Sequence, residues 1–393
     1  MIGAQTNSPD PDEAETPEGT VEAPTEDDSP PRRPRGRPPV APEKRTRDPQ
    51  GRPYRVTSFD VAAEAGVSQS TVSRALAGDP VVSEATRQRV RAAAERLRYH
   101  IDENAARLRT GRTGTIAVVV ISRPDELPGD FNPFYTTLLG AICAASSRAG
   151  HETLVSFQDR EETLFGRYQE QRKADGLIVI GTNENRPAWD YFARVAQEGA
   201  ALVCWGGPTD ELNWVRNDNA AGARLAVEHL LASGYRRIAC IASEVSPQRQ
   251  FKERYDGYVA CMAEAGLTPR LVTIEEGLPR DEQGRRAATA LLASGEPFDA
   301  IFAACDETAL GVLHALRAAG IDVPGDVGVV GFDGIRAGAH ATPRLTTIAP
   351  DCDAAADILI ERLLAVIAGR PGEHQRAPVK LLVRDSTRRP QSA

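Results

Sequence analysis

The chain has 393 residues, more than one compact core holds, so two or three domains are expected. Hydrophobic residues make up 41% and charged residues 26%, an ordinary soluble composition, and no apolar run approaches the roughly 20 residues that a bilayer demands. A net charge of −8 excludes a uniformly basic nucleic-acid binder, so any such contact must come from a local basic face. Residues 1–29 carry nine acidic side chains and no Lys or Arg, whereas residues 31–55 carry nine basic ones against two acidic. Residues 1–54 hold twelve of the 28 prolines and almost no aliphatic side chains, so they are expected to be disordered. The acidic, proline-rich start is unlike a charged-then-apolar leader, which predicts a protein that stays in the cytoplasm.

Inside the basic stretch lies Pro-Arg-Gly-Arg-Pro at 34–38, which resembles an AT-hook. In that arrangement Gly36 permits close approach to a narrow minor groove, and Arg35 and Arg37 reach its enhanced negative potential. A solvated basic tail is the alternative reading of the same five residues.

Residues 56–76 read VTSFDVAAEAGVSQSTVSRAL. Val61, Ala62 and Ala65 put small apolar side chains on one face of a short helix, with Ser58 placed to cap it. Gly66 breaks the pattern and Val67 is the apolar residue of a tight turn. Ser68 is placed to cap a second helix, in which Val72, Ala75 and Leu76 recur at i, i+3 and i+4. Gln69, Ser70, Ser73 and Arg74 are left pointing outward. Two short helices, a glycine turn and a polar outer face describe a helix-turn-helix whose second helix enters the major groove. A plain helical hairpin is the alternative. Ser83 and Glu84 then start a third helix with Val90, Ala94 and Leu97 as its apolar stripe and Arg87, Arg89, Arg91 and Arg98 among its polar positions. Residues 102–110 read as one more short helix, capped by Asp102, carrying Ala105, Ala106 and Leu108, and ended by Gly111.

From Thr113 the pattern alternates between strand and helix. Continuous β-prone runs at 115–121, 152–157, 175–181, 200–205, 236–242, 298–304 and 327–332 suit parallel strands covered by helices on both faces. Helix-length segments at 134–149, 219–233, 251–265, 285–293, 307–319 and 352–368 lie between them, several ended by Gly150, Gly234, Gly266, Gly320 and Gly369. That is a doubly wound α/β arrangement long enough for two subdomains. The six cysteines are widely spaced without a Cys-x-x-Cys, and several sit in apolar runs, so buried free thiols are expected. No phosphate loop, nucleophile elbow or paired metal motif appears, so no enzyme chemistry, metal or cofactor is expected.

The ordered stretch D-V-A-x-x-A-G-V-S-x-x-T-V-S-R at 60–74 resembles the headpiece of the LacI family of bacterial transcriptional regulators, and the likeness continues with gaps through about the last 340 residues. The resemblance implies a tail over 1–54, an all-α headpiece over 55–101, a hinge helix and linker over 102–112, and a two-lobed core like periplasmic binding proteins over 113–393. It implies three crossovers between the lobes, near 216–219, 347–351 and 370–377. Phosphate contacts would come from Thr57, Ser68, Thr71, Ser83 and Thr86, and base reading from Gln69, Ser70 and Arg74, with Ser73 beside them. In the family the hinge pair opens the minor groove with inserted leucines. Leu108 falls on that position with Ala105 near it, while Ile101 stands where many relatives have proline. An effector between the lobes would meet Asn132, Phe134, Trp205, Asp218, Arg254, Asp306 and Asp333. Trp205 replaces an acidic residue common at that strand end, and Pro279 stands where some relatives use an aromatic. Asp218 and Asp306 could equally be helix caps.

The function so implied is a homodimeric repressor that binds a pseudo-palindromic operator in double-stranded DNA and answers to a small molecule, a neutral sugar for preference. Three alternatives remain. A solute-binding protein of periplasmic type would need a leader and has no use for the headpiece. An architectural DNA binder acting through residues 34–38 leaves the long core unexplained. A sugar-modifying enzyme lacks a catalytic constellation.

Overall fold

The computed structural model describes residues 56–99, 111–124, 131–246 and 248–387. Arg35, Arg37 and the expected hinge helix, with its Ala105 and Leu108, lie outside the described residues. The chain divides into two units, Met1–Ile101 and Asp102–Ala393.

Among the described residues three helices make the first unit: α1 (Ser58–Ala65), α2 (Gln69–Leu76) and α3 (Glu84–Arg96). Their shared core is small, built on Val61, Val72, Ala75, Val90 and Ala93. Gly66 takes φ +63°, the left-handed conformation that ends α1 and starts the turn. The cap of α1 is Thr57 rather than Ser58. The reason is Asp60, whose carboxylate accepts from the Thr57 backbone N–H at 2.8 Å and from its hydroxyl at 2.7 Å. An acid three residues into a helix stabilises the residue before it as the cap. Ser68 and Ser83 cap α2 and α3, each accepting from the N–H three residues on. Arg87 is not a free surface cation. Its guanidinium donates to the Asp79 and Val82 carbonyls and pairs with Glu84, which holds the turn between α2 and α3.

The second unit holds two six-stranded sheets. The first contains β1 (Thr115–Ile121), β2 (Glu152–Gln158), β3 (Gly176–Gly181), β4 (Leu202–Trp205) and β5 (Trp214–Asn217), with helices α4 (Pro133–Arg148) and α5 (Arg186–Gln197) between them. The chain then crosses at Asp218 into α6 (Asn219–Ala232). The second sheet follows, with β6 (Ile238–Ala242), α7 (Arg249–Glu264), β7 (Arg270–Thr273), α8 (Arg280–Ala293), β8 (Ala300–Ala303), α9 (Asp306–Ala318), β9 (Gly328–Phe332), α10 (Arg336–His340) and β10 (Thr346–Pro350). At Asp351 it returns to the first lobe as α11 (Cys352–Ile367) and β11 (Gln375–Ala377), and it crosses once more at Pro378 to β12 (Val379–Leu382). The strand orders are β11-β5-β4-β3-β1-β2 and β12-β10-β9-β8-β6-β7, all parallel except the β10–β12 pair.

The seven β-prone runs each contain one of these strands. Strands β3, β4, β6, β8 and β9 are buried along their length, as continuous apolar runs covered on both faces must be. The third crossover comes just after the expected 370–377, because 375–377 is itself a strand pairing with β5. Strands β5, β7, β10, β11 and β12 and helices α5 and α10 add to the expected set. Arg270, Lys380 and Arg376 interrupt the apolar signal in edge positions, where one flank of the strand meets solvent. Cys204, Cys240, Cys261 and Cys305 are buried free thiols, while Cys143 and Cys352 are half-buried.

Candidate functional site

On the headpiece, the first turn of α2 presents hydroxyls and backbone N–H groups together. The Ser68 hydroxyl lies 2.8 Å from those of both Ser70 and Thr71, and Ser83 and Thr86 repeat the arrangement at the start of α3 at 3.0 Å. Helix N-termini carry partial positive charge and unpaired donors, so both ends suit phosphate oxygens. Thr57, Ser68, Ser70, Ser83 and Arg74 are exposed, and Gln69, Thr71, Ser73 and Thr86 are half-buried. Gln69 is already oriented, since its amide donates to the Ser58 hydroxyl at 3.2 Å. Its carbonyl oxygen and second N–H stay available for an adenine edge. The Arg74 side chain has no hydrogen bond or ion pair among the described residues, so the full fork of its guanidinium is available.

Between the lobes of the core lies a cavity of about 550 Å³, within the usual range for a bound small molecule. The ends of the parallel strands build it, as expected for open α/β sheets. The first lobe supplies aromatic rings: Phe134 lies 5.8 Å from Trp205 and 5.4 Å from Tyr135 between ring centres. Asn132 opens α4 by accepting from the Phe134 N–H at 2.8 Å, which directs Phe134 into the cleft. The second lobe supplies charge. Arg254 is buried, its guanidinium carbon 3.6 Å from the centre of the Phe332 ring, and it pairs with Asp333 at 3.0 Å while donating to Asn219 at 3.0 Å. Asp333 takes φ +114°, a strained conformation at the end of β9 that turns its carboxylate toward Arg254. Burial pushes the Asp333 carboxyl up and the Arg254 charge pulls it back.

Closing contacts cross the cleft. Gln248 donates to the Thr182 hydroxyl at 2.6 Å, Arg280 pairs with Glu184, and Arg249 pairs with Asp210 at 3.1 Å. Gly181 makes this side possible: a Cβ there would meet the Ile121 carbonyl oxygen at 2.0 Å, so only glycine lets β3 turn into the Thr182–Glu184 loop.

Of the seven residues expected to meet an effector, Asn132, Phe134, Trp205, Arg254 and Asp333 line the cleft together. Asp218 does not; its carboxylate caps α6 by accepting from the Ala221 N–H at 3.2 Å. Asp306 is neither a lining residue nor a cap. Fully buried, it accepts from the Thr347 hydroxyl at 2.6 Å and the Ile335 N–H at 2.8 Å, tying the ends of three strands. Burial, and then nearby Asp333, push its carboxyl up to about 7.

Residues 59–102 match the family described as bacterial regulatory proteins, lacI family, and residues 227–387 match the periplasmic binding protein-like domain. The chain is 32% identical to the HTH-type transcriptional regulator CelR of Thermobifida fusca over 83% of its own length and 96% of that protein. It belongs to the LacI family. This regulator is also 30% identical to the ribose operon repressor of Escherichia coli K12 across 78% of its length and 93% of the repressor. Among solved structures, the lac repressor dimer bound to operator and the anti-inducer ONPF aligns with a TM-score of 0.69 at 26% identity, over 85% of this chain and 99% of that one. The CelR–cellobiose complex aligns at 0.59 and 29% identity, over 84% and 100%. The LacI-family regulator is thus a helix-turn-helix transcription factor whose headpiece binds DNA and whose core has the two-lobed fold. Among its described residues no helix is long and apolar enough to cross a membrane.

The cleft of this regulator also contains residues that sequence reasoning missed. Arg280, Glu184, Gln248, Arg216, Asn217 and Glu307 line it. Most sit in loops or first helical turns, where no periodicity marks them. Glu307, Arg216 and Asn217 carried a signal, since Glu307 adjoins Asp306 at a strand end and the other two fall in or beside the first expected crossover at 216–219.

Proposed function

We propose that this regulator is a homodimeric repressor whose grip on a pseudo-palindromic operator is set by a neutral, polyhydroxylated effector, a sugar, bound between the lobes. The observation that carries the effector class is the charge state of the cleft. Five arginines line it, and each is paired with a carboxylate: Arg123 with Glu184 at 3.6 Å, Arg216 with Asp210 at 2.7 Å, Arg249 with Glu253 at 3.1 Å, Arg254 with Asp333 at 3.0 Å, and Arg280 with Glu184. Five lining carboxylates, Glu184, Glu253, Asp281, Glu307 and Asp333, offset the five arginines, so the cleft has no net charge left for a phosphate, yet its guanidiniums keep spare N–H donors for hydroxyls. The opposite wall of Phe134, Tyr135 and Trp205 offers rings for the C–H face of a pyranose. CelR with cellobiose and the ribose operon repressor support the same chemical class.

Arg74, Gln69 and Ser70 read bases, the starts of α2 and α3 hold phosphates, Leu108 and Ala105 of the hinge segment enter the minor groove, and Arg35 and Arg37 add a second minor-groove anchor. The protein acts by binding rather than catalysis, in the cytoplasm where its operator lies. An effector that prefers one lobe angle shifts the fraction of dimers able to place both headpieces, a coupling of about 1–3 kcal/mol. The test is selection of bound DNA from a random pool, repeated with a panel of sugars. A palindromic motif whose recovery one sugar changes is the expected result. Recovery of A·T-rich DNA alone, indifferent to every sugar and lost on deleting residues 1–54, would overturn it.

A further inference from the structure

The headpiece leaves most of its cations unanswered. Of the six arginines between residues 56 and 99, two are paired with glutamates, Arg87 with Glu84 at 2.7 Å and Arg96 with Glu64 at 3.1 Å. The side chains of Arg74, Arg89, Arg91 and Arg98 are exposed, with no hydrogen bond or ion pair among the described residues. Asp60 serves the Thr57 cap, and Asp79 holds the turn before α3 by accepting from the Val81 N–H at 3.0 Å. The starts of α2 and α3 add backbone donors and partial positive charge to this surface. Elsewhere in the chain a block of opposite charge has no role in the reading above. Residues 1–29, outside the described residues, carry nine acids and no Lys or Arg. Placed beside a DNA-binding unit, they repel the phosphates that it must approach.

We propose that the acidic segment 1–29 docks on the arginine-bearing surface of the headpiece and competes with DNA for it. The proposal needs only a headpiece that binds DNA, and it stands apart from the effector. Charge complementarity selects the occupant, and chain length lets it arrive. Residues 30–55 separate the two, and those 26 residues span at most about 90 Å. The 13-residue α3 is only about 20 Å long, so every part of the headpiece is within reach. The basic stretch 31–55 is the competing partner for the same acids. Docking on a surface whose cations the fold already fixes orders one chain segment, whereas pairing with 31–55 orders two. A tether of this kind gives an effective concentration of order 1 mM, so a contact with a dissociation constant of about 0.1 mM fills the surface nine-tenths of the time. DNA then binds about tenfold more weakly, because only the open fraction accepts it. Salt loosens the acidic segment as well as DNA, so the segment buffers DNA affinity against ionic strength.

The experiment compares the full chain with a variant in which the nine acids of residues 1–29 are changed to Asn or Gln. The probe is a mixed-sequence DNA duplex, titrated by fluorescence anisotropy between about 50 and 200 mM salt. The neutralised variant should bind about tenfold more tightly at the lowest salt, with a steeper salt dependence, and the gap should close at the highest. Loss of simple repulsion would also tighten binding, so docking is read separately. A photo-crosslinking residue, Val21→p-benzoylphenylalanine, is placed among the acids of the full chain without DNA. Mass spectrometry should find the crosslink on peptides within residues 69–98, and both the added duplex and neutralisation of the acids should abolish it. Crosslinks confined to residues 31–55, or none at all, would overturn the proposal even if DNA binding tightened. Equal affinity and equal salt dependence of the two chains would overturn it as well.

Discussion

The headpiece and the cleft solve opposite problems with the same residue type. On the headpiece Arg74 stands exposed and free, with hydroxyls beside it. In the cleft every one of the five lining arginines is paired. Water solvates an exposed guanidinium until a better partner displaces it, so leaving it unpaired costs the fold nothing. A buried one must bring its counter-charge with it. One surface is thereby kept ready for a polyanion, and the other is neutralised for an uncharged guest. Arg87 shows that position in the headpiece is not enough: its guanidinium is committed to the Asp79 and Val82 carbonyls.

The contrast can be broken most severely at Arg254. Arg254→Ala leaves Asp333 buried without its counter-charge and should cost the core about 3–5 kcal/mol, read by urea unfolding. A loss below about 1 kcal/mol would mean that Asp333 reaches solvent or sheds its charge easily.

Asp306 sharpens the comparison through pH. Its carboxyl is held up to about 7, chiefly by burial, against an unfolded value near 3.9. A carboxyl raised in the fold contributes stability that is fully present below the unfolded value and is lost as pH rises through the folded one. Core stability should therefore fall between about pH 4 and pH 7, by up to about 4 kcal/mol from this group. Glu307, likewise pushed up to about 7 by burial, adds to the same window. Asp306→Asn should flatten the slope markedly in unfolding curves taken across that range; an unchanged slope would show that Asp306 titrates normally.

The smallest effect is expected on the exposed surface. Arg74→Ala should weaken operator binding by about 1–3 kcal/mol and relax preference at one base pair, without changing core unfolding. Equal weakening on every DNA sequence, with a shallower salt dependence, would assign Arg74 to phosphate alone.

Periodicity and capping types were enough to read the three headpiece helices, seven of the twelve strands and most core helices, because those signals act over a few neighbouring residues. The glycine after α1, the serines before α2 and α3, and the continuous apolar runs of the parallel strands each state their local structure. The family likeness named five residues that line the cleft. The sequence could not tell which partner an ionised or polar group would choose. Asp218, Asp306 and Asp333 look alike as acids at strand ends. Only the packing of three strand ends makes Asp306 a buried tie, Asp218 a cap and Asp333 the partner of Arg254. That choice is decided by which residues distant in the chain the fold brings within about 3 Å, the reach of a hydrogen bond.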